Sequence, residues 1–143
     1  MTMATVARFK VRDLMTEQLY TVRPDNDLAT VKDLMVEHRI RHIPVVDPEE
    51  NLVGLVSHRD LLRHSLIEQE EVPAYVEEVV LEQVEVREVM TPNPDTITAD
   101  VDIREAAQIL LDRKYGCLPV VEGSRLVGIL TESDFVRLMA RGD

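Results

Sequence analysis

Apolar positions along the chain switch between two periods. Leu28, Val31, Leu34 and Met35 recur every three or four residues, as do Ile103, Ala106, Ile109 and Leu110, and each set predicts an amphipathic helix. Asp27 and Asp102 stand just before these sets, where a carboxylate favours a helix start. The short apolar runs 43–46 and 118–121 predict buried strands, with Pro44 and Pro119 near their starts, where a missing N–H is tolerated. A turn leads from each to a second strand, at 52–56 or 125–130, and then to a closing helix near 58–67 or 132–140. A short extended piece precedes each set, around 19–22 and 96–98. The predicted order is therefore strand, helix, strand, strand, helix, given twice.

The two copies correspond residue by residue. Val11-Arg12-Asp13-Leu14-Met15-Thr16 matches Val86-Arg87-Glu88-Val89-Met90-Thr91, an offset of 75 (residue 11 to residue 86). Thr21-Val22 matches Thr96-Ile97, and Pro44-Val45-Val46 matches Pro119-Val120-Val121, at the same offset. The offset then falls by one, because Asp47-Pro48-Glu49-Glu50-Asn51 is replaced by Glu122-Gly123-Ser124-Arg125. Separated blocks that agree apart from one loop deletion mark an internal duplication.

Each copy ends its second strand in the same pattern, Gly54-Leu55-Val56-Ser57-His58-Arg59-Asp60 and Gly128-Ile129-Leu130-Thr131-Glu132-Ser133-Asp134. A hydroxyl followed three residues later by a carboxylate is the layout of a helix capping box. Capping alone accounts for the pattern. A second use is open to it: a helix start with free N–H groups, a hydroxyl and a carboxylate can hold a sugar and its phosphate. Gly54 and Gly128 stand where a side chain would obstruct either a packed strand or a ligand.

Residues 68–85 have no counterpart. Val72, Tyr75, Val76, Val79, Val80 and Val84 fall on a helical stripe opposite a largely glutamate face, and Pro73 suits a first helical position. This predicts an acidic connecting helix that packs on the module or across a dimer, or that receives a partner.

Composition narrows the classes. Hydrophobic residues make up 45% of the chain and aromatics 3%, with no tryptophan, so the core is aliphatic. A formal net charge of −11 argues against a broad nucleic-acid or anionic-membrane surface. One cysteine, Cys117, excludes an internal disulfide and fits a reducing cytoplasm. Residues 1–10 carry no apolar signal core, and no run approaches membrane-spanning length. His38 and His42 have helical metal-ligand spacing, but no third ligand accompanies them and no metal site is expected. No phosphate loop of the Gly-x-x-x-x-Gly-Lys type and no activated nucleophile occurs, so no catalytic residue and no enzyme is expected.

The duplicated Val-Arg-Asp-Leu-Met-Thr segment, the Arg41-His42-Ile43-Pro44-Val45-Val46-Asp47 stretch and the Gly-x-x-Ser/Thr-x-x-Asp motif resemble a tandem pair of CBS (cystathionine-β-synthase) domains. The domains would be 11–67 and 86–141, joined by the 68–85 helix. The resemblance implies an α+β (α/β) fold of two βαββα units packed through their sheets with pseudo-two-fold symmetry. It also implies homodimerisation and adenosine ligands in the clefts between units. On it, Asp60 and Asp134 would accept from ribose hydroxyls, and Ser57 and Thr131 would contact sugar or phosphate. Thr21, Val22, Thr96 and Ile97 would lie beside the adenine. Arg41 and His42, ahead of Ile43 and Pro44, would reach phosphate, with His58 and Arg59 nearby. The second copy has Arg113 and Lys114, then Gly116, Cys117, Leu118 and Pro119, with Glu132 and Ser133 later, and so less positive charge where phosphate would sit. Unequal sites follow.

The expected function is that of a stand-alone regulatory module sensing AMP, ADP or ATP, the last with Mg²⁺, ahead of S-adenosylmethionine or NAD. No cofactor is required, and the regulated protein target is unknown. The alternative is a ligand-free interaction and dimerisation module.

Overall fold

In the computed structural model, which describes residues 8–64, 73–114 and 116–141, the capping signals act as helix starts. The first half holds α1 (Val11–Leu14), α2 (Leu28–His38), β1 (His42–Val46), β2 (Leu52–Ser57), α3 (His58–Arg63) and α4 (Ala74–Glu82). The second holds α5 (Val86–Val89), β3 (Thr91–Pro92), α6 (Ile103–Arg113), β4 (Cys117–Glu122), β5 (Arg125–Thr131) and α7 (Glu132–Arg141). Asp27 accepts from the Thr30 N–H at 2.8 Å to start α2, and Asp102 accepts from the Arg104 N–H at 2.8 Å to start α6. Both helices end on a residue in the left-handed conformation, Arg39 (φ 54°) and Lys114 (φ 56°), which turns the chain into the following strand.

The units that pack are not the units that repeat. One compact unit is Tyr20–Pro94, and the other joins Met1–Leu19 to Asp95–Asp143. Each is built on an antiparallel hairpin, β1–β2 or β4–β5, with matching registers: His42 faces Ser57, and Cys117 faces Thr131. Beside each hairpin runs a parallel contact, Val22 to Val45 and Ile97 to Val120. The expected first strands are these single bridges. Pro44 C=O accepts from Val22 N–H and Pro119 C=O from Ile97 N–H, so each proline turns its main chain away from the hairpin partner. Its missing N–H therefore takes nothing from the ladder. Aliphatic side chains fill both cores, Leu28, Val31, Ile43, Val45 and Val56 in one and Ala106, Leu118, Val120 and Leu130 in the other.

The Val-Arg-x-x-Met-Thr segment of each repeat docks on the body of the other. In the Tyr20–Pro94 unit, α5 and β3 come from the second repeat, and Thr91 and Pro92 add a strand against Leu55 and Gly54. Val86 is fully buried there. In the other unit, α1 comes from the first repeat, Val11 is buried, and Thr16 exchanges both main-chain bonds with Ile129. The motif glycines make room for this. A Cβ on Gly54 would collide with Met90 Sδ and lie 3.2 Å from the Thr91 carbonyl oxygen. One on Gly128 would lie 2.7 Å from Met15 Sδ and 3.3 Å from the Thr16 carbonyl oxygen. Strand packing is thus a sufficient reason for both glycines.

The closing helix of the first copy is shorter than its pattern predicts. It ends at Arg63, with His64 as its cap, and the expected remainder to residue 67 lies outside the described residues. The connecting helix also differs. Val72 lies outside the described residues, Tyr75 and Val79 are exposed, and Glu77 with Leu81 turns inward. Glu77 is accommodated there by Lys32, whose ammonium lies 3.6 Å from its carboxylate. Leu81 supplies the apolar contact, so α4 buries a mixed face rather than its valine stripe. Among the described residues no helix is long and apolar enough to cross a membrane.

Two stability outcomes follow from these contacts. Gly54→Ala should destabilise by about 1–3 kcal/mol, because an added methyl in a filled space displaces its neighbours. Adding Met90→Ala should recover part of that loss in a double-mutant cycle, and simple additivity would show that the methionine is not the obstacle. Lys32→Ala, which strips the counter-charge from buried Glu77, should cost about 1–3 kcal/mol. Arg87→Ala, which breaks an exposed pair with Glu85, should cost about 0.5 kcal/mol or less in the same denaturant titration.

Candidate functional site

The hairpin register brings the sequence-predicted residues of each repeat to one end of its own unit. In the Tyr20–Pro94 unit, pairing of His42 with Ser57 puts the start of β1 beside the end of β2. The His58 N–H donates to the Arg41 carbonyl at 2.7 Å and closes that end. Thr21 and Val22 lie along β1 through the Val22–Pro44 bond of 3.1 Å and the Val46–Val22 bond of 2.9 Å. Val22, Ile43 and Pro44 are buried, Thr21, His42 and Ser57 are half-buried, and Arg41, His58 and Arg59 are exposed.

Ser57 and Asp60 form the predicted capping box. The Asp60 N–H donates to Ser57 Oγ at 3.3 Å, and the Ser57 N–H donates to Asp60 Oδ2 at 2.8 Å. The Ser57 hydroxyl donates to the same Oδ2 at 3.0 Å. Asp60 Oδ1 faces Arg63 Nη1 at 3.7 Å, beyond hydrogen-bond distance, and that arginine is exposed. One carboxylate oxygen therefore caps the helix, while the other faces Arg63 and makes no hydrogen bond among the described residues; Arg41, His58 and Arg59 are exposed at the same end of the unit.

In the second unit the Ile97 N–H donates to Pro119 C=O at 3.0 Å, and the Val121 N–H donates to Ile97 C=O at 2.9 Å. Thr96, Glu132 and Ser133 are exposed, Gly116 and Thr131 half-buried, and Cys117, Leu118 and Pro119 buried. Burial pushes the Cys117 thiol pKa far up, with the Asp134 charge adding to it, so it is neither a nucleophile nor a ready metal ligand. Arg113 is tied to Asp95 at 3.0 Å.

Asp134 is held quite differently from Asp60. Its Oδ2 accepts from the Thr131 N–H at 2.8 Å and from the Thr131 hydroxyl at 3.4 Å. Its Oδ1 accepts from the Thr16 hydroxyl at 3.0 Å and from the Arg137 guanidinium. The Asp134 side chain is 2% exposed against 15% for Asp60. Neither arginine partner was anticipated. The signal was present, since both motifs extend to Ser/Thr-x-x-Asp-x-x-Arg, ending at Arg63 and Arg137.

The two histidines at helical spacing do not share a face. Left-handed Arg39 ends α2 between them, and the His38 ring stacks on Tyr20 with centroids 3.7 Å apart. Among the described residues no three His, Cys, Asp or Glu side chains group to hold a metal ion.

The geometry has close parallels. The family model for the CBS domain matches residues 11–67 and 86–141. CBSX1, a chloroplastic CBS domain-containing protein of Arabidopsis thaliana, is 34% identical over 90% of this chain, which spans 63% of that protein. A protein named for acetoin utilization (AcuB) from Vibrio cholerae has a solved structure with a TM-score of 0.78. It is 35% identical, over 93% of this chain and 91% of that one. CBSX2 of Arabidopsis thaliana, solved in complex with AMP, gives 0.77 at 32% identity, over 93% and 97%. Similarity to the inosine-5'-monophosphate dehydrogenase of Mycobacterium tuberculosis, 38% over 120 residues, involves only 20% of that enzyme. With the repeated hairpins, the capping boxes and these matches in agreement, the chain belongs to the CBS domain family and carries two of its domains.

Proposed function

We propose that this chain is a regulatory module that binds an adenosine-containing ligand, with AMP, ADP or ATP foremost, and passes its occupancy to a partner. The observation that carries this reading is the half-buried Asp60 carboxylate, whose Oδ1 makes no hydrogen bond among the described residues, at the end of the unit where Arg41, His58 and Arg59 are exposed. A ribose diol needs such an acceptor, and a phosphate needs such cations. Val22 and Thr21 would stand beside the base, Ser57 and Asp60 at the sugar, and Arg41, His42, His58 and Arg59 towards phosphate. CBSX2, at 32% identity, has been crystallised with AMP, which supports the ligand class. A transmitted signal requires the ligand to prefer one geometry of the module. Homodimerisation, a cytoplasmic setting and the lack of a catalytic role belong to the same proposal.

A second reading has its own support. Val36, Tyr75 and Val79 in one unit, and Leu111, Val136 and Met139 in the other, are large apolar side chains more than half exposed. Such side chains suit a protein interface, and on this reading the module would act through association with no ligand.

A thermal-shift series with AMP, ADP, ATP, NAD and S-adenosylmethionine, with and without Mg²⁺, tests the first reading. A ligand at about 100 times its Kd should add roughly 2.7 kcal/mol, a rise of several degrees. Asp60→Ala should weaken binding by about 10- to 100-fold. No shift from any of the five would transfer the case to the interface reading. Arg41→Ala should weaken ATP more than AMP by isothermal titration, and equal losses would remove Arg41 from the phosphate side.

A further inference from the structure

Two independent features separate the repeats. The first is the occupancy of the motif carboxylates. An ionised carboxylate offers about four lone-pair sites. Asp134 receives four donors from its own chain: the Thr131 N–H, the Thr131 hydroxyl, the Thr16 hydroxyl and Arg137. Among the described residues Asp60 receives hydrogen bonds from the Ser57 N–H and hydroxyl, both on one oxygen, with Arg63 3.7 Å from the other. The counterpart of Thr16 is Thr91, which is exposed and makes no side-chain hydrogen bond among the described residues.

The second is charge. The positions of Arg41, His42, His58 and Arg59 are taken in the second copy by Gly116, Cys117, Glu132 and Ser133. Every cationic group is gone, one position has become an anion, and another is a buried thiol. A phosphate placed there would meet Glu132 and lack the four cationic positions of the first copy.

We infer that the two CBS repeats have divided their roles: the Asp60 site alone takes a nucleoside, and Asp134 is a structural latch. This rests on the nucleotide-binding reading for its first half only. In the latch, Thr16 arrives from the far end of the chain, 118 residues away, and its hydroxyl fixes the α1 segment to the start of α7. Arg137 closes the remaining side of the carboxylate. For a ribose to enter, two of these donors would have to leave a nearly dry carboxylate, and a sugar hydroxyl that replaced them would restore no more than was lost. The same four-residue motif thus serves as a receptor in one repeat and as a fastener in the other.

Isothermal titration of the whole chain with AMP should give one equivalent per chain, weakened by about 10- to 100-fold in Asp60→Ala. Thr16→Val should keep that one equivalent yet melt several degrees below wild type, whereas Thr91→Val should melt with wild type. Two equivalents of AMP per chain would overturn the division of roles. If none of AMP, ADP, ATP, NAD and S-adenosylmethionine binds, the nucleotide reading falls by itself, and the melting comparison still decides the latch. Thr16→Val melting no lower than Thr91→Val would overturn it.

Discussion

The contact on which both units depend is that of a methionine against a glycine. Met90 occupies the space a side chain on Gly54 would need, and Met15 does the same at Gly128. Each methionine belongs to the segment that opens the opposite repeat, so each repeat completes its core with a piece of the other. Val86 and Val11, fully buried one turn earlier, add the apolar area that makes the docking favourable. Main-chain pairing of Thr91 with Leu55, and of Thr16 with Ile129, then sets the register.

Given that frame, the position of the site follows from the hairpins. Antiparallel pairing that sets His42 against Ser57 brings the start of one strand to the end of the next, and a helix begins there. The adenine-side residues are delivered by a single parallel bridge, Val22 to Val45. All the residues assigned to one ligand thus lie within Tyr20–Pro94. Arg41, His58 and Arg59 are exposed at the same end of the unit as Asp60, a local concentration of basic residues in a chain whose net charge is −11. Such a concentration favours a small anion over an extended polyanion.

Much of this was legible in the amino-acid order, and the limits have physical causes. Helix starts at Asp27, Asp102 and Ser57, the two hairpins, and the duplication depend on neighbours within a few residues, so periodicity and capping chemistry reveal them. The docking of residues 10–16 and 86–92 does not, because their partners are distant and the glycines admit more than one explanation. Glu77 defeated the stripe on the connecting helix because its counter-charge, Lys32, sits on another helix. Asp60 and Asp134 look alike as motifs. Their difference lies in whether the lone pairs are already engaged, and Thr16, which decides that, is remote in sequence.

The exchange of opening segments has a consequence for how the chain comes to be folded. Residues 10–16 leave the ribosome long before residues 97–134, against which Val11, Met15 and Thr16 are placed. During synthesis that segment must remain without its site while the Tyr20–Pro94 unit, whose partners are nearer in sequence, can already close. Contacts of such long separation are slow to form, since the loop must be ordered before they reward it. The Thr16–Asp134 contact thus requires the chain to close over a separation of 118 residues.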